Sequence, residues 1–273
     1  MRDLAPGRKP AAYAAACMLC GLIISALAAE GPEDQIVTDR PDFVESSATV
    51  GKGRFQLETS VAGIHDRDGT LRQDVLGTPT LLRFGVAETW ELRLETDGYT
   101  RQHTDDTSAP PSQTVYGFGD SELGVKWHMQ DRGAGRPSVA WLLHVGFPSG
   151  SQSLRSPGIR PSLRTSMEWD LPNDSSIGVM PGVMRKSRDD GHGYVAGILG
   201  VSLGHNFTER LHSFLEVAAP QLARPPEGGN IVTYDFGFSY LITPKVQVDS
   251  AVFVGANNHT PDVAWTIGLS AKF

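Results

Sequence analysis

The sequence predicts an all-β chain: an antiparallel transmembrane β-barrel of about twelve strands behind an extended N-terminal segment. Three observations carry this. From Arg54 onward, apolar and polar residues alternate in segments of roughly ten, the length of a tilted strand that crosses a bilayer. No Lys, Arg, Asp or Glu falls in the apolar rows, although such residues crowd the positions between them. The connections take turns at being short and long.

The start of the chain is read first. Arg2, Arg8 and Lys9 precede an apolar or small stretch from Ala11 to Leu27 that closes on Ala26-Leu27-Ala28. This is the layout of a secretory signal peptide, assigned to residues 1–28. A membrane-anchoring helix needs a longer run. Lipid attachment suits neither Cys17, too early in the run, nor Cys20, which follows Leu19. With both cysteines in the signal, the expected exported chain has no disulfides. Without Arg2, Arg8, Lys9 and Asp3 the formal net charge moves from -7 to -9, which argues against nucleic acid as a partner. The mean hydropathy of -0.21 would suit a soluble protein, but a barrel hides its apolar surface in every second residue. Residues 29–52 carry many charges and no clear period and are read as an extended periplasmic or lumenal segment. The barrel is assigned to residues 53–273.

The twelve rows follow in order. The first four are Phe55, Leu57, Thr59 and Val61; Leu82, Phe84 and Val86; Trp90, Leu92 and Leu94; and Leu123, Val125, Trp127 and Met129. Next come Val139, Trp141, Leu143, Val145 and Phe147, then Leu163, Thr165, Met167 and Trp169. The seventh, Ile177, Val179 and Val183, contains Pro181, which should interrupt a ladder and points to a bulge near Gly178 and Gly182. Val195, Leu199, Val201 and Leu203 precede Leu211, Leu215 and Val217. Tyr234, Phe236, Phe238 and Tyr240 precede Val246, Val248, Val252 and Val254. The last row is Val263, Trp265, Ile267, Leu269, Ala271 and Phe273.

A charge facing lipid at mid-depth costs about 2–4 kcal/mol, whereas one facing a wet lumen costs little. That difference accounts for the segregation. Short connections such as "AET", "LPND" and "TPK" alternate with long polar ones such as "TRQHTDDTSAPPSQT" and "PSGSQSLRSPGIRP", as periplasmic turns alternate with outer loops. A secreted β-sandwich also alternates, but it has no need of that rhythm or of an aromatic at Phe273, which is read as the assembly signal at the membrane boundary. The expected partners are outer-membrane lipids, the barrel assembly machinery and a small-molecule solute.

Twelve strands should leave a narrow, partly filled lumen. Its candidate lining and selectivity residues are Glu58, Arg83, Glu91, Arg93, Glu95, Lys126, Arg164, Glu168, Asp235 and Asp249. Glu91, Arg93 and Glu95 on one strand, with Arg83 across a tight turn, have the spacing of an ion-pair ladder. Such a ladder either stiffens the barrel or selects solutes. A mixed, acidic lumen points to a hydrophilic solute.

Four features together carry a family resemblance: "TDRPDFVESSATVGKGRFQLE" at residues 38–58, "GFGDSELGVKW" at 117–127, "FPSG" at 147–150 and the final Phe. With them the chain resembles a family of exported proteins labelled as phenol-degradation (MetA-pathway) proteins or as transporters. The resemblance runs over nearly all of the chain after the signal. It implies an outer-membrane barrel linked to hydrophobic or aromatic compounds, at odds with the polar lumen, and it leaves the solute open. The family's pre-strand signature is matched by Thr38, Asp39, Arg40, Pro41, Asp42, Phe43 and Glu45, then Gly51, Gly53, Gln56, Leu57 and Glu58. Val44 and Ser46 depart from it. Pro41 keeps Arg40 extended. Asp39, Arg40, Asp42, Phe43 and Glu45 are the candidate plug residues, expected to enter the periplasmic mouth and pair with lumenal charges; the alternative is a mobile tether.

Chemistry is not expected. "GDSE" at residues 119–122 resembles the opening block of Gly-Asp-Ser esterases, but His128 lies seven residues along the same strand from Ser121, too far for a catalytic pair. The Gly-Asp pair is read as the start of the fourth strand. The histidines are scattered, and no two have metal-ligand spacing beside a carboxylate cluster. "HDRDG" begins like a calcium loop and lacks its closing Glu. No catalytic residue, metal site or cofactor is assigned. The expected function is a passive outer-membrane channel or transporter for a small solute. The alternatives are a structural or adhesive barrel with a blocked lumen and an outer-membrane lipid hydrolase.

Overall fold

The computed structural model describes residues 35–109, 111–188 and 190–273; residues 1–28, read above as a signal peptide, and the two cysteines they hold lie outside the described residues. Fifteen β segments form one closed antiparallel sheet. They are β1 (Phe55–Asp68), β2 (Leu71–Gly77), β3 (Thr80–Ala87), β4 (Trp90–Thr96), β5 (Tyr99–Asp106), β6 (Gln113–Phe118), β7 (Ser121–Gln130) and β8 (Ser138–Phe147), followed by β9 (Arg160–Leu171), β10 (Ser175–Ser187), β11 (Gly193–Asn206), β12 (Leu211–Leu222), β13 (Ile231–Thr243), β14 (Val246–Gly255) and β15 (Val263–Lys272).

Three crossings are each broken in two: β2 with β3, β4 with β5, and β6 with β7. The barrel therefore has twelve strands. The lower part of β1 pairs with β3 and its upper part with β2, while β5 pairs with both β2 and β6. The breaks lie side by side at Thr78-Pro79, Asp97-Gly98 and Gly119-Asp120. Gly98 is required there, with φ +69° and space for a Cβ taken by the Thr78 carbonyl oxygen 2.0 Å away. Closure is made by β1 against β15, from Gln56 opposite Lys272 to His65 opposite Val263. Phe273 extends the seam: its N–H donates to the Phe55 carbonyl at 2.8 Å, the Phe55 N–H donates back at 3.2 Å, and the two rings stand 6.1 Å apart.

Side chains are distributed inside out. Leu92, Leu123, Leu143, Leu203 and Ile267 are exposed on the outer wall, whereas Glu58, Arg83, Glu91 and Lys126 are fully buried on the inner one. A β-strand sends successive side chains to opposite faces, so one alternation sets both surfaces. Leu215, in the middle of β12, is 59% exposed. Leu215→Lys is expected to lower stability in a bilayer by about 2–4 kcal/mol, measured by reversible denaturant titration in vesicles; an unchanged midpoint would place this face outside lipid.

Two sequence expectations are corrected. Pro181 causes no bulge: it stays in register opposite Leu199 of β11, and the ladder to β9 lapses only at Met180 and Pro181 before resuming unshifted at Gly182 opposite Arg164. A proline withholds one donor, which interrupts pairing on one side without inserting a residue. The polar stretch at residues 100–114, expected as a loop, is largely strand, in β5 and β6. β5 is polar from Thr100 to Asp106, and the two exposed apolar side chains of β6, Tyr116 and Phe118, are too few to announce a strand; mutual pairing satisfies their backbone all the same.

Candidate functional site: a lumen threaded by residues 35–54

Residues 35–54 run through the lumen without regular structure, so their backbone must be satisfied by something other than a ladder. Lumenal carboxylates do this. Glu58 accepts from the Asp39 N–H (3.0 Å), Glu216 from those of Phe43 and Val44 (2.7 and 2.8 Å), Glu168 from Ser47 (2.7 Å) and Glu91 from Val50 (3.0 Å). Basic and amide side chains serve the carbonyls. Arg83 donates to Val37 (3.0 Å) and Ala48 (2.8 Å), Gln56 to Val37 (2.9 Å), and Lys126 to Ser46 (2.8 Å). The ring of His128 meets the Ser47 carbonyl at 2.9 Å.

Side-chain pairs add to this. Asp39 is the hub: its carboxylate lies 2.5 Å from Arg93, 2.8 Å from Lys126 and 3.3 Å from Arg83. Glu45 joins Arg93 and Arg164, both at 2.7 Å. Arg40 reaches Thr266 at 2.7 Å and Asp249 at 3.3 Å. Along the wall, Arg83 meets Glu91 at 2.9 Å and Glu58 at 3.0 Å, while Arg93 meets Glu91 at 3.0 Å and Glu95 at 3.1 Å. The lumenal charges are thus a matched socket. Removing one partner of such a buried pair typically costs about 3–5 kcal/mol, because it strands the other.

The opposite wall makes room rather than charge pairs. A Cβ on Gly200 of β11 would lie 2.6 Å from Val44 and 3.0 Å from Phe43, and one on Gly178 of β10 would lie 2.9 Å from Val44. Asp235 stands on β13 directly opposite Glu216. Among the described residues, two chambers border the segment. One, of about 280 Å³, lies toward the short turns between Thr208 and Leu241. The other, of about 390 Å³, lies toward the level of the strand breaks, lined by Phe43, Leu81, Glu122, Arg160 and Arg164 among others. Arg40, Pro41 and Asp42 border both, so the segment is the partition between them.

The structure thus brings every candidate lumen residue, save Asp235, into contact with the segment or with a wall charge that holds it. It groups all five candidate plug residues inside the barrel. Sequence reasoning gave no role to Glu216, Gln56 or Gly200; acceptors for an inserted backbone have no signal beyond being acidic. Asp120 of "GDSE" binds the β8–β9 connection, accepting from the Gly150 and Ser156 N–H groups (3.0 and 2.9 Å) and from Arg160 (2.8 Å), a structural task.

With the geometry in hand, residues 38–273 match the model of the family described as the MetA-pathway of phenol degradation. The chain belongs to this family. The match begins at Thr38, inside the threaded segment, so segment and barrel fall within one family unit. Comparison with curated proteins returns no match. Among solved structures, the chain is similar to an outer membrane channel from Pseudomonas putida F1, at 9% identity over 90% of this chain and all of that one, with a TM-score of 0.58. It is also similar to the β domain of a Bordetella autotransporter, at 14% identity over 81% and 99% of the two chains, with a TM-score of 0.53. At these identities the likeness is one of fold: this chain and both structures share the closed β-barrel.

Proposed function

We propose that the protein is a passive channel of the bacterial outer membrane for a small solute, with residues 35–54 acting as its plug. The single observation that carries this reading is the partition of a closed, polar-lined lumen into two chambers by a segment held through side chains rather than woven into the sheet. Such contacts can be released without unfolding the barrel, because backbone hydrogen bonds to the wall sit at the two ends of the segment, from Ile36 to Pro244 and between Gly53, Arg54 and Gly85, and the stretch between them is held through side chains. The family description favours phenolic or other aromatic compounds as solutes. A mixed lumen suits a molecule with one polar group: Phe43 and Leu81 offer apolar contact in the outer chamber, and Arg160, Arg164 and Glu122 offer charge. The solute's own gradient drives movement, and no step of chemistry is involved.

The test is single-channel conductance of the refolded protein in a planar bilayer, with and without residues 29–50. The deletion is expected to raise the current severalfold, and phenol added on one side is expected to reduce it. The density of contacts around the segment also favours a second reading, a permanently blocked structural or adhesive barrel. Inserted, β-rich protein that stays silent in both forms would establish that reading and sink the channel.

A further inference from the structure

His144 on β8 faces Gly124 on β7 across the sheet. A Cβ at position 124 would lie 2.0 Å from the imidazole Cδ2 and 2.6 Å from Nε2, so the ring occupies space that only glycine leaves open. The side chain is fully buried, and neither ring nitrogen makes a hydrogen bond among the described residues. Leaving a buried imidazole without hydrogen-bond partners is unfavourable, because the ring loses its bonds to water and gains none in return. What surrounds it is acidic. Glu122 Oε1 lies 3.2 Å from Nδ1 and Glu95 Oε1 lies 3.7 Å from Nε2. Glu45 arrives from the threaded segment, so that ligand atoms of Glu45, Glu95 and His144 all lie within 4.8 Å of one another. The sequence reading looked for two histidines at metal-ligand spacing beside carboxylates; these residues are about fifty apart in sequence and meet only through the sheet and the inserted segment.

We propose that Glu45, Glu95 and His144 bind a divalent transition-metal ion of the zinc type, with Glu122 orienting the imidazole through its second nitrogen. Zinc takes imidazole nitrogen and carboxylate oxygen at about 2.0–2.2 Å, which brings ligand atoms to roughly 3.3 Å from each other in a tetrahedron. Rotations of the two glutamates close that difference. A carboxylate on the other ring nitrogen is the usual support for a metal-bound histidine. Glu45, Glu95 and Glu122 line the outer chamber, which gives the ion a way in and water for its remaining position. An imidazole in the set selects against magnesium and calcium, which take oxygen ligands. Arg93 and Arg164 already donate to Glu45. Each carboxylate oxygen keeps a second lone pair, but the two guanidinium charges repel a cation, so affinity is expected in the micromolar range and no tighter. The ion would tie the segment, through Glu45, to the wall strands β4 and β8.

The test uses the full chain in detergent micelles at pH 7, titrated with zinc chloride and separately with magnesium chloride by calorimetry. Folding of each variant is checked by heat-dependent migration in a denaturing gel. Wild type is expected to show a zinc site that His144→Gln abolishes and that Glu45→Gln weakens about tenfold or more, with no heat from magnesium. Glu95→Gln, at a partly exposed carboxylate, is a second variant that does not depend on His144→Gln folding, and it too must weaken binding. Zinc binding that is absent in wild type, or unchanged in Glu95→Gln and in folded His144→Gln, overturns the site. The measurement is independent of conductance, so its failure leaves the channel reading standing.

Discussion

On the proposed reading of residues 35–54 as a channel plug, replacing Asp39 by Ala is expected to convert a mostly closed channel into one with long-lived open states. Asp39 touches Arg93, Lys126 and Arg83 at once, and all three cations are buried. Without its carboxylate they face one another with only the wall glutamates between them. Breaking such a buried cluster costs about 3–5 kcal/mol, and the cost falls on the threaded state alone, because in the unthreaded state the same cations face water. At about 1.4 kcal/mol per factor of ten, the open-to-closed ratio should rise by roughly two to four powers of ten. Asp39→Asn, which keeps the shape, should do much the same, since what is lost is charge. Open probability in a planar bilayer checks both, with thermal stability of the barrel as the companion reading. Closed channels in both variants would show that the segment is held by something other than its charge pairs.

The second large effect is one of pH. Burial pushes the Asp42 carboxyl up to about 8 from its ordinary 3.8, and the charges of Glu168, Asp39 and Asp249 push in the same direction; Glu216 also faces this stretch through the Phe43 and Val44 N–H groups. A carboxyl raised in the threaded state holds its proton there and loses it when released to water. Its contribution to threading is therefore complete below about pH 4 and is lost as pH rises toward 8. Glu45 works in the opposite sense. Burial alone would raise it, but Arg93 and Arg164 outweigh burial and hold it at about 2, so its contribution is present above its ordinary 4.5 and lost as pH falls toward 2. Asp39, also held well below its ordinary value against burial by Arg83, Lys126 and Arg93, follows Glu45. The plug should sit tightest near pH 5 and loosen steadily to pH 8. Asp42→Asn, neutral throughout, should keep the channel closed across that range. A wild-type open probability that stays flat from pH 5 to 8, or an identical rise in Asp42→Asn, would remove Asp42 from this role.

How much of this was legible can be judged from particular residues. The twelve apolar rows correspond one to one with the twelve crossings, because the penalty for a charge in lipid acts on every residue of a row, independent of its neighbours in space. The extensions β2, β5 and β6 were missed, since β5 is polar from Thr100 on and the exposed apolar residues of the other two, Leu71 and Leu76, Tyr116 and Phe118, are too few to make a row. Asp39, Arg40, Asp42 and Glu45 stood out as too densely charged for a spacer. Their partners did not, because Lys126 is 87 residues from Asp39 and Asp249 is 209 from Arg40.

By itself, then, the sequence determined which face of each strand meets lipid, how many strands there are and that the lumen is charged; these follow from a two-residue period and a local solvation cost. Only the tertiary structure decided what the lumenal charges are for. Closing the barrel brings Glu58, Glu91, Glu168 and Glu216 within reach of backbone N–H groups of one inserted segment, and sets His144 among Glu45, Glu95 and Glu122. Those partnerships depend on register and on the path of a chain without regular structure, neither of which has a period that a sequence can display.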